Sequence, residues 1–250
     1  MTSIHSAIEL INPDMDFSDP KIYSTLPFPS PLVVSEELFD FLPATDNVRT
    51  FRYMGRSPFE HLMKDLEDPR FLSGYHYLFL TGPSGTGKSF ILAALVRSLI
   101  RKGKRVLYIP DCGVLLGDAE KALRKALQFT FHDDRVMCRT INGAQGTDDL
   151  IRIVGRQIDH SLYVVADQCN ALDTNGVEDP RYQAKVNART YIGKLGSSQM
   201  FIFSTSGKPR PDRRNDGDGR SVKSIFLHAG LSKVCPHLFN SLISCSSGGD

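Results

Sequence analysis

Short apolar segments alternate with longer amphipathic segments through the middle of the chain. Four segments of strand length are rich in apolar residues, at residues 77–80, 105–109, 161–168 and 200–205. Capping residues and apolar spacing predict helices at residues 58–67, 88–99, 118–131, 147–160 and 180–195. Strands that alternate with helices are typical of α/β folds with a mostly parallel sheet covered on both faces. The pattern therefore predicts a three-layer α/β core.

The pattern divides the chain into three parts. Residues 1–56 contain six prolines and predict an irregular Pro-rich N-terminal arm, either a linker or a segment that docks a partner protein. Residues 57–207 form the predicted core. Residues 208–250 predict a basic flexible tail, in which residues 225–227 could add one further strand. If the tail is flexible, deleting it from Asp212 onward should leave the core functional.

Composition narrows the class of protein. The chain has 250 residues, of which 41% are hydrophobic and 23% charged, and its net charge is +2, which neither requires nor excludes a nucleic acid. The N-terminus lacks the features of a usual signal peptide, and no apolar run reaches the length of a membrane span. Five cysteines without a C-x-x-C spacing indicate neither a zinc site nor a disulfide framework. We therefore expect an intracellular protein of the cytoplasm or nucleus, without a membrane partner.

Residues 82–89, GPSGTGKS, match the phosphate-binding pattern G-x-x-x-x-G-K-[ST] and lie between the first apolar strand and the next helix. Glycines let the N–H groups of such a loop turn toward phosphate oxygens, and the start of the helix attracts the same anion. Lys88 is expected to reach the β- and γ-phosphates of ATP or another nucleotide, and Ser89 to ligate Mg²⁺. The predicted cofactor-binding residues are Gly82, Pro83, Ser84, Gly85, Thr86, Gly87, Lys88 and Ser89.

A second motif ends the third strand, where four apolar residues precede Asp167. In P-loop NTPases this acid, the Walker B aspartate, holds Mg²⁺ opposite the serine of the loop. Gln168 follows, at a position where many of these enzymes have a glutamate as general base. An amide orients water but cannot take its proton as a carboxylate does. Slow hydrolysis is therefore expected, unless Asp111 or Asp173 supplies the missing carboxylate.

The fourth strand ends in three polar residues, Ser204, Thr205 and Ser206. Ligands of open α/β sheets bind at the carboxyl ends of the strands. Thr205 is therefore predicted as a catalytic residue beside Asp167 and Gln168, in contact with the γ-phosphate or the attacking water. Ordinary capping of the strand end is the alternative.

One strand separates the P-loop strand from the Walker B strand in the sequence, which favours the additional-strand class of P-loop NTPases. Three stretches carry a closer resemblance: GPSGTGKS at 82–89, LYIPDCG at 107–113 and VVADQCNAL at 164–172. Together they resemble the NTPase module of Crinkler-type effectors and of retrotransposon hot spot proteins, over residues 70–206. The resemblance implies an AAA+/STAND-like ATPase, often joined to a nuclease domain and acting in a nucleus. It also implies functions for Lys88, Ser89, Asp167 and Gln168.

The sequence departs from that family at several points. It shows no N-terminal header of the secreted effectors and no PD…(D/E)xK nuclease signature, so no nuclease residues are assigned. The chain also ends soon after the fourth strand, so neither a full helical lid nor its arginine is expected.

Three functions are consistent with the sequence. The first is Mg²⁺-dependent ATP binding with slow hydrolysis in a Crinkler-like effector module, with a protein partner expected. The second is a non-enzymatic interaction protein that is gated by a nucleotide. The third is nucleic-acid binding through the basic segment 208–223, which predicts a steep salt dependence.

Overall fold

The computed structural model describes residues 2–10, 15–34, 39, 41–45, 48–68, 77–157, 162–197, 199–205 and 222–227. Its strands are β1 (Tyr23–Pro27), β2 (Phe41–Thr45), β3 (Val48–Met54), β4 (Tyr77–Thr81), β5 (Arg105–Ile109), β6 (Leu162–Ala166), β7 (Met200–Ser204) and β8 (Val222–Phe226). Its helices are α1 (Thr2–Leu10), α2 (Ser57–Glu67), α3 (Lys88–Arg101), α4 (Leu115–Thr130), α5 (Arg135–Gly143), α6 (Thr147–Gly155) and α7 (Tyr182–Gly196). Short 3₁₀ turns follow β5 at Cys112–Val114 and β6 at Cys169–Leu172.

Five parallel strands form the central sheet, in the order β5-β6-β7-β4-β8. This confirms the predicted P-loop NTPase fold with a mostly parallel sheet. In space, the strand inserted between the P-loop strand β4 and the Walker B strand β6 is β7, whereas the strand between them in sequence, β5, lies at the edge. The carboxyl ends of β4, β6 and β7 are therefore neighbours, and their loops share one edge of the sheet.

Hydrophobic clusters cover both faces of this sheet. Val165 belongs to one cluster and its neighbour Val164 to the other, because successive side chains of a strand point to opposite faces. The first cluster packs against α2, α3 and the N-terminal strands, and the second against α4, α5, α6 and α7. The core is thus a three-layer sandwich. None of the helices described is both long and apolar enough to cross a membrane.

The N-terminal region contains more regular structure than its prolines predict. Strands β1, β3 and β2 form an antiparallel sheet in that order, preceded by α1. Pro27 and Pro43 lie on its two edge strands, where a missing N–H interrupts no inner ladder. Leu26 and Phe51 are buried in the first cluster of the core. This sheet is therefore packed on the P-loop side of the domain.

Strand β8 lies within the segment that the sequence describes as a basic tail. It pairs along the full length of β4, with Leu80 opposite Ile225. Beyond it, the Leu227 N–H donates to the Thr81 carbonyl at 2.8 Å, and only 4% of Leu227 is exposed. This pairing gives β4 a hydrogen-bonded neighbour on both sides.

Deletion of the chain from Asp212 onward is accordingly expected to destabilise the domain, contrary to the expectation for a flexible tail. The deletion removes β8 and the buried Leu227, and loss of one buried leucine costs about 2 kcal/mol. We expect Tm to fall by at least about 4 °C. A truncation after Leu227 is the matched control because it keeps the strand. Equal Tm values for the two truncations would show that β8 contributes nothing.

Helix α1 is attached to the core through His5. Its ring stacks on Phe129 and on His132, with centroids 4.2 and 3.5 Å apart, and its Nε2 bonds the Phe129 carbonyl at 3.1 Å. Burial and the neighbouring His132 lower the pKa of His5 to about 4, with a smaller effect in the same direction from Arg105. The Phe129 carbonyl and Asp133 act in the opposite direction.

This environment predicts a loss of stability in mild acid. The unfolded chain takes up a proton at His5 near pH 6.5, whereas the folded chain does so only near pH 4. The free energy of unfolding should therefore decrease as the pH falls from 6.5 towards 4. Thermal unfolding at pH 7.5 and pH 5 should show a smaller decrease for His5→Gln than for the native protein. An identical decrease would exclude His5 as the cause.

Candidate nucleotide-binding site

The loop between β4 and α3 is shaped by glycines at two crowded positions. Gly82 has φ 150° and Gly87 has φ 77°, values that residues with a Cβ rarely adopt. A Cβ on Gly82 would also lie 2.4 Å from the Leu227 carbonyl oxygen, and one on Gly87 would lie 2.7 Å from the Arg56 guanidinium carbon. The loop therefore needs glycine there for both its backbone angles and its neighbours.

Lys88 begins α3 and turns its side chain back into the loop. The ammonium donates to the carbonyl oxygens of Gly82 and Pro83, both at 2.8 Å, and to Thr86 Oγ1 at 3.3 Å. Lys88 is only 4% exposed, and burial lowers its pKa, an effect partly offset by the negative charge of Asp167. A phosphate that enters the loop would therefore meet a positive charge already held at its centre.

Asp167 follows β6 and is completely buried. Its Oδ1 accepts hydrogen bonds from the Ser204 hydroxyl and, at 2.7 Å, from the Gln168 N–H. No partner among the described residues bonds Oδ2, which is buried as well. Burial raises the pKa of Asp167, while the hydroxyls of Ser204 and Ser89 and the charge of Lys88 oppose that rise. A cation at Oδ2 would satisfy this oxygen and favour the ionised carboxylate.

Gln168 adopts an unusual backbone conformation beside Asp167. Its φ of 56° and ψ of 40° place it in the left-handed region, and no other non-glycine residue of the described ranges has a positive φ. Its side-chain Nε2 donates to Ser89 Oγ at 3.3 Å. Left-handed backbone in a non-glycine residue is strained and recurs at functional sites. This strained residue thus contacts the serine of the phosphate loop.

The residues around Asp167 fit a magnesium ion. In the part of the chain that the structure describes, no group of three or more His, Cys, Asp or Glu side chains could hold a metal. Mg²⁺ does not require such a group of protein ligands. It usually binds one or two carboxylates, waters and the phosphates of a substrate. The unpartnered Asp167 Oδ2 and the nearby Ser89 hydroxyl match that requirement.

The remaining predicted residues lie at the same sheet edge but differ in their contacts. Thr205 bonds the Leu80 carbonyl through its N–H at 3.3 Å, and Ser204, the residue before it, contacts Asp167. A catalytic function of Thr205 stays a prediction, and Ser206 lies outside the described residues. Asp111 caps the turn after β5 by accepting the Gly113 N–H at 2.7 Å, so it is engaged in a structural contact.

Arg56 is a site residue that the sequence does not indicate. It follows β3, and its Nη1 donates to the Thr86 carbonyl at 2.9 Å, across 30 residues of sequence. Its guanidinium also lies against Gly87. A second cation thus borders the loop from outside, and it belongs to no recognisable motif.

A family match over the phosphate loop agrees with a nucleotide as the ligand. Residues 39–122 match the family described as IstB-like ATP binding protein. The match includes Arg56 and the whole phosphate loop, and it ends before Asp167. Among solved structures, C. elegans PCH-2 is 14% identical with a TM-score of 0.29, and the alignment covers 68% of this chain and 40% of that one. The chain therefore spans less than half of that protein's length, and no curated protein matches it.

Proposed function

We propose that this protein binds ATP together with Mg²⁺ and hydrolyses it slowly. One observation supports this most strongly. The buried Lys88 ammonium lies inside a glycine loop, and the same sheet edge carries a buried Asp167 with one unpartnered carboxylate oxygen. These are the two charges that a magnesium–phosphate complex requires, one for the phosphates and one for the metal. The match to an ATP-binding family over the loop adds to this support.

In this proposal each residue has a separate task. Lys88 exchanges a loop carbonyl for a β- or γ-phosphate oxygen, a stronger, charge-assisted bond. Ser89 and Asp167 hold Mg²⁺, which neutralises charge on the phosphates when it is bound. Gln168 orients the attacking water through its amide, and Thr205 contacts the γ-phosphate.

A second function, a nucleotide-gated interaction protein without significant turnover, is favoured by the absence of a carboxylate at position 168. The two acids that could replace it have other partners. Asp111 caps a turn. Asp173 Oδ1 lies 3.4 Å from Arg189 Nη2, and 60% of the Asp173 side chain is exposed. In both proposals the protein binds the nucleotide in the same way, and only the rate of hydrolysis differs.

The biological setting is proposed from the sequence resemblance. The stretch VVADQCNAL, which includes Asp167, Gln168 and Cys169, supports a Crinkler-type effector module that acts in the nucleus or cytoplasm with a protein partner. Nucleic-acid binding through the basic segment 208–223 is the weaker alternative, since a net charge of +2 does not require a nucleic acid.

Calorimetric titration with ATP and GTP, with and without Mg²⁺, tests the proposal. We expect ATP affinity at least about tenfold higher with Mg²⁺, corresponding to about 1.4 kcal/mol. Asp167→Asn should remove most of that difference, whereas Asp173→Asn, an exposed carboxylate outside the proposed site, should keep it. A native protein that binds no nucleotide, or binds it equally without Mg²⁺, would contradict the proposal.

A further inference from the structure

Two cysteines lie in contact beside the proposed magnesium site. The sulfur atoms of Cys112 and Cys169 are 3.7 Å apart, although 57 residues separate them in sequence. Cys112 begins the turn after β5, and Cys169 begins the turn after β6. Both are free thiols in this structure.

The backbone holds these two sulfurs opposite each other. Strands β5 and β6 pair in parallel up to Ile109 and Ala166, and the ladder continues beyond them. The Asp167 N–H donates to the Ile109 carbonyl at 2.9 Å, and the Cys112 N–H donates to the Asp167 carbonyl at 3.0 Å. The cysteine contact is therefore built on the same backbone that positions Asp167.

The two thiols differ in access to solvent. Cys112 is completely buried, whereas Cys169 is partly exposed. A small oxidant would thus reach Cys169 first and leave Cys112 in place to attack the oxidised sulfur. An accessible cysteine next to a resolving cysteine is the arrangement found in reversible thiol sensors.

We propose that Cys112 and Cys169 form a reversible disulfide that is driven by a hydroperoxide and weakens nucleotide binding. The Cys169 thiol reacts with the peroxide ROOH to give the sulfenic acid Cys169–SOH and the alcohol ROH. The Cys112 sulfur then attacks the sulfenic sulfur, the S–S bond forms, and water leaves with the Cys112 proton. The two thiols together lose two electrons, and the peroxide O–O bond gains them.

The expected effect on the site follows from the geometry and rests on the proposed function. A disulfide bond is about 2.04 Å long, so the sulfurs must approach each other by about 1.7 Å. Gln168 directly precedes Cys169, and Asp167 precedes Gln168, so this movement displaces the turn that carries both. Mg²⁺ tolerates little displacement of its ligands, so a displaced Asp167 carboxylate would bind it less tightly. We expect oxidation to weaken MgATP binding at least about tenfold.

The disulfide is tested directly on the full chain. The protein is treated with hydrogen peroxide, alkylated, digested with trypsin and analysed by mass spectrometry. The expected product joins peptides 106–121 and 157–181, which contain Cys112 and Cys169. Cys138→Ser is the matched control, since its thiol contacts the Phe131 carbonyl, and it should still form the cross-link. Absence of the cross-link, or bonding of Cys169 to another cysteine, would overturn the proposal.

The consequence for binding is measured separately by MgATP titration before oxidation, after oxidation and after reduction with dithiothreitol. Affinity should fall and then recover in the native protein and in Cys138→Ser, and should stay constant in Cys169→Ser and Cys169→Ala. A cross-linked protein with unchanged affinity would refute the coupling. If the reduced protein binds no MgATP at all, the proposed function fails, and the cross-linking result still decides whether the disulfide forms.

Discussion

Replacing Lys88 by alanine is expected to weaken ATP binding at least about tenfold, corresponding to about 1.4 kcal/mol or more. The substitution removes the cation at the centre of the phosphate loop. It also removes the two hydrogen bonds that the ammonium donates to the carbonyls of Gly82 and Pro83. The loop therefore loses a positive charge and two internal hydrogen bonds. Lys88→Arg should not restore affinity, since the planar guanidinium is larger than the ammonium that this buried position holds.

Titration with ATP, together with thermal unfolding of each variant, measures this effect. Lys102→Ala is the matched control, because Lys102 follows the same helix and its ammonium pairs with Glu67 at the surface. The control should keep the native affinity. Unchanged affinity in a folded Lys88→Ala protein would refute a phosphate-binding function for the loop.

Gln168→Glu is expected to accelerate ATP hydrolysis. The native amide cannot accept a proton from the attacking water, and assistance by a general base is typically worth about 10²–10⁴-fold. Both side chains carry the same Cβ, so the strain of the left-handed backbone at φ 56° is common to the two proteins. The difference in rate should therefore reflect the carboxylate rather than a change in folding.

Steady-state turnover at saturating MgATP is the appropriate measurement, with affinity determined in parallel. Gln183→Glu adds the same charge at an exposed position of α7 and should leave the rate unchanged. If the native protein is already fast and Gln168→Glu is no faster, position 168 does not limit hydrolysis.

The fold and the phosphate loop could be predicted because their signals are local in sequence. Residues 82–89 specify the loop through glycines and a lysine, and the apolar runs before and after it specify a strand and a helix. The N-terminal sheet could not be predicted in this way, since β1 and β3 pair across a long connection and the prolines of residues 1–56 resemble those of a linker. Hydrophobic periodicity can indicate a strand, but it does not show which distant segment pairs with it.

The side-chain contacts within the site depend on the folded geometry, which the residue types alone do not indicate. Polar residues at the end of β7 were evident, but strand pleating decides that Ser204 rather than its neighbour points toward Asp167. Arg56 gave no signal because its contact with Thr86 arises only when the N-terminal sheet packs beside the loop. Likewise, the strained backbone of Gln168 follows from the turn after β6 and not from any feature of glutamine.

The bond from Arg56 to the loop has an energetic consequence for the whole N-terminal region. Arg56 lies two residues after the end of β3, so a nucleotide that orders Thr86 and Gly87 also restrains the antiparallel sheet. Thermodynamic linkage is reciprocal: a protein partner that stabilises the sheet would tighten nucleotide binding by the same free energy. Amide hydrogen exchange in β3 should therefore slow when ATP binds, and should slow less in Arg56→Ala. Through this guanidinium, the N-terminal sheet responds to whether the loop is filled.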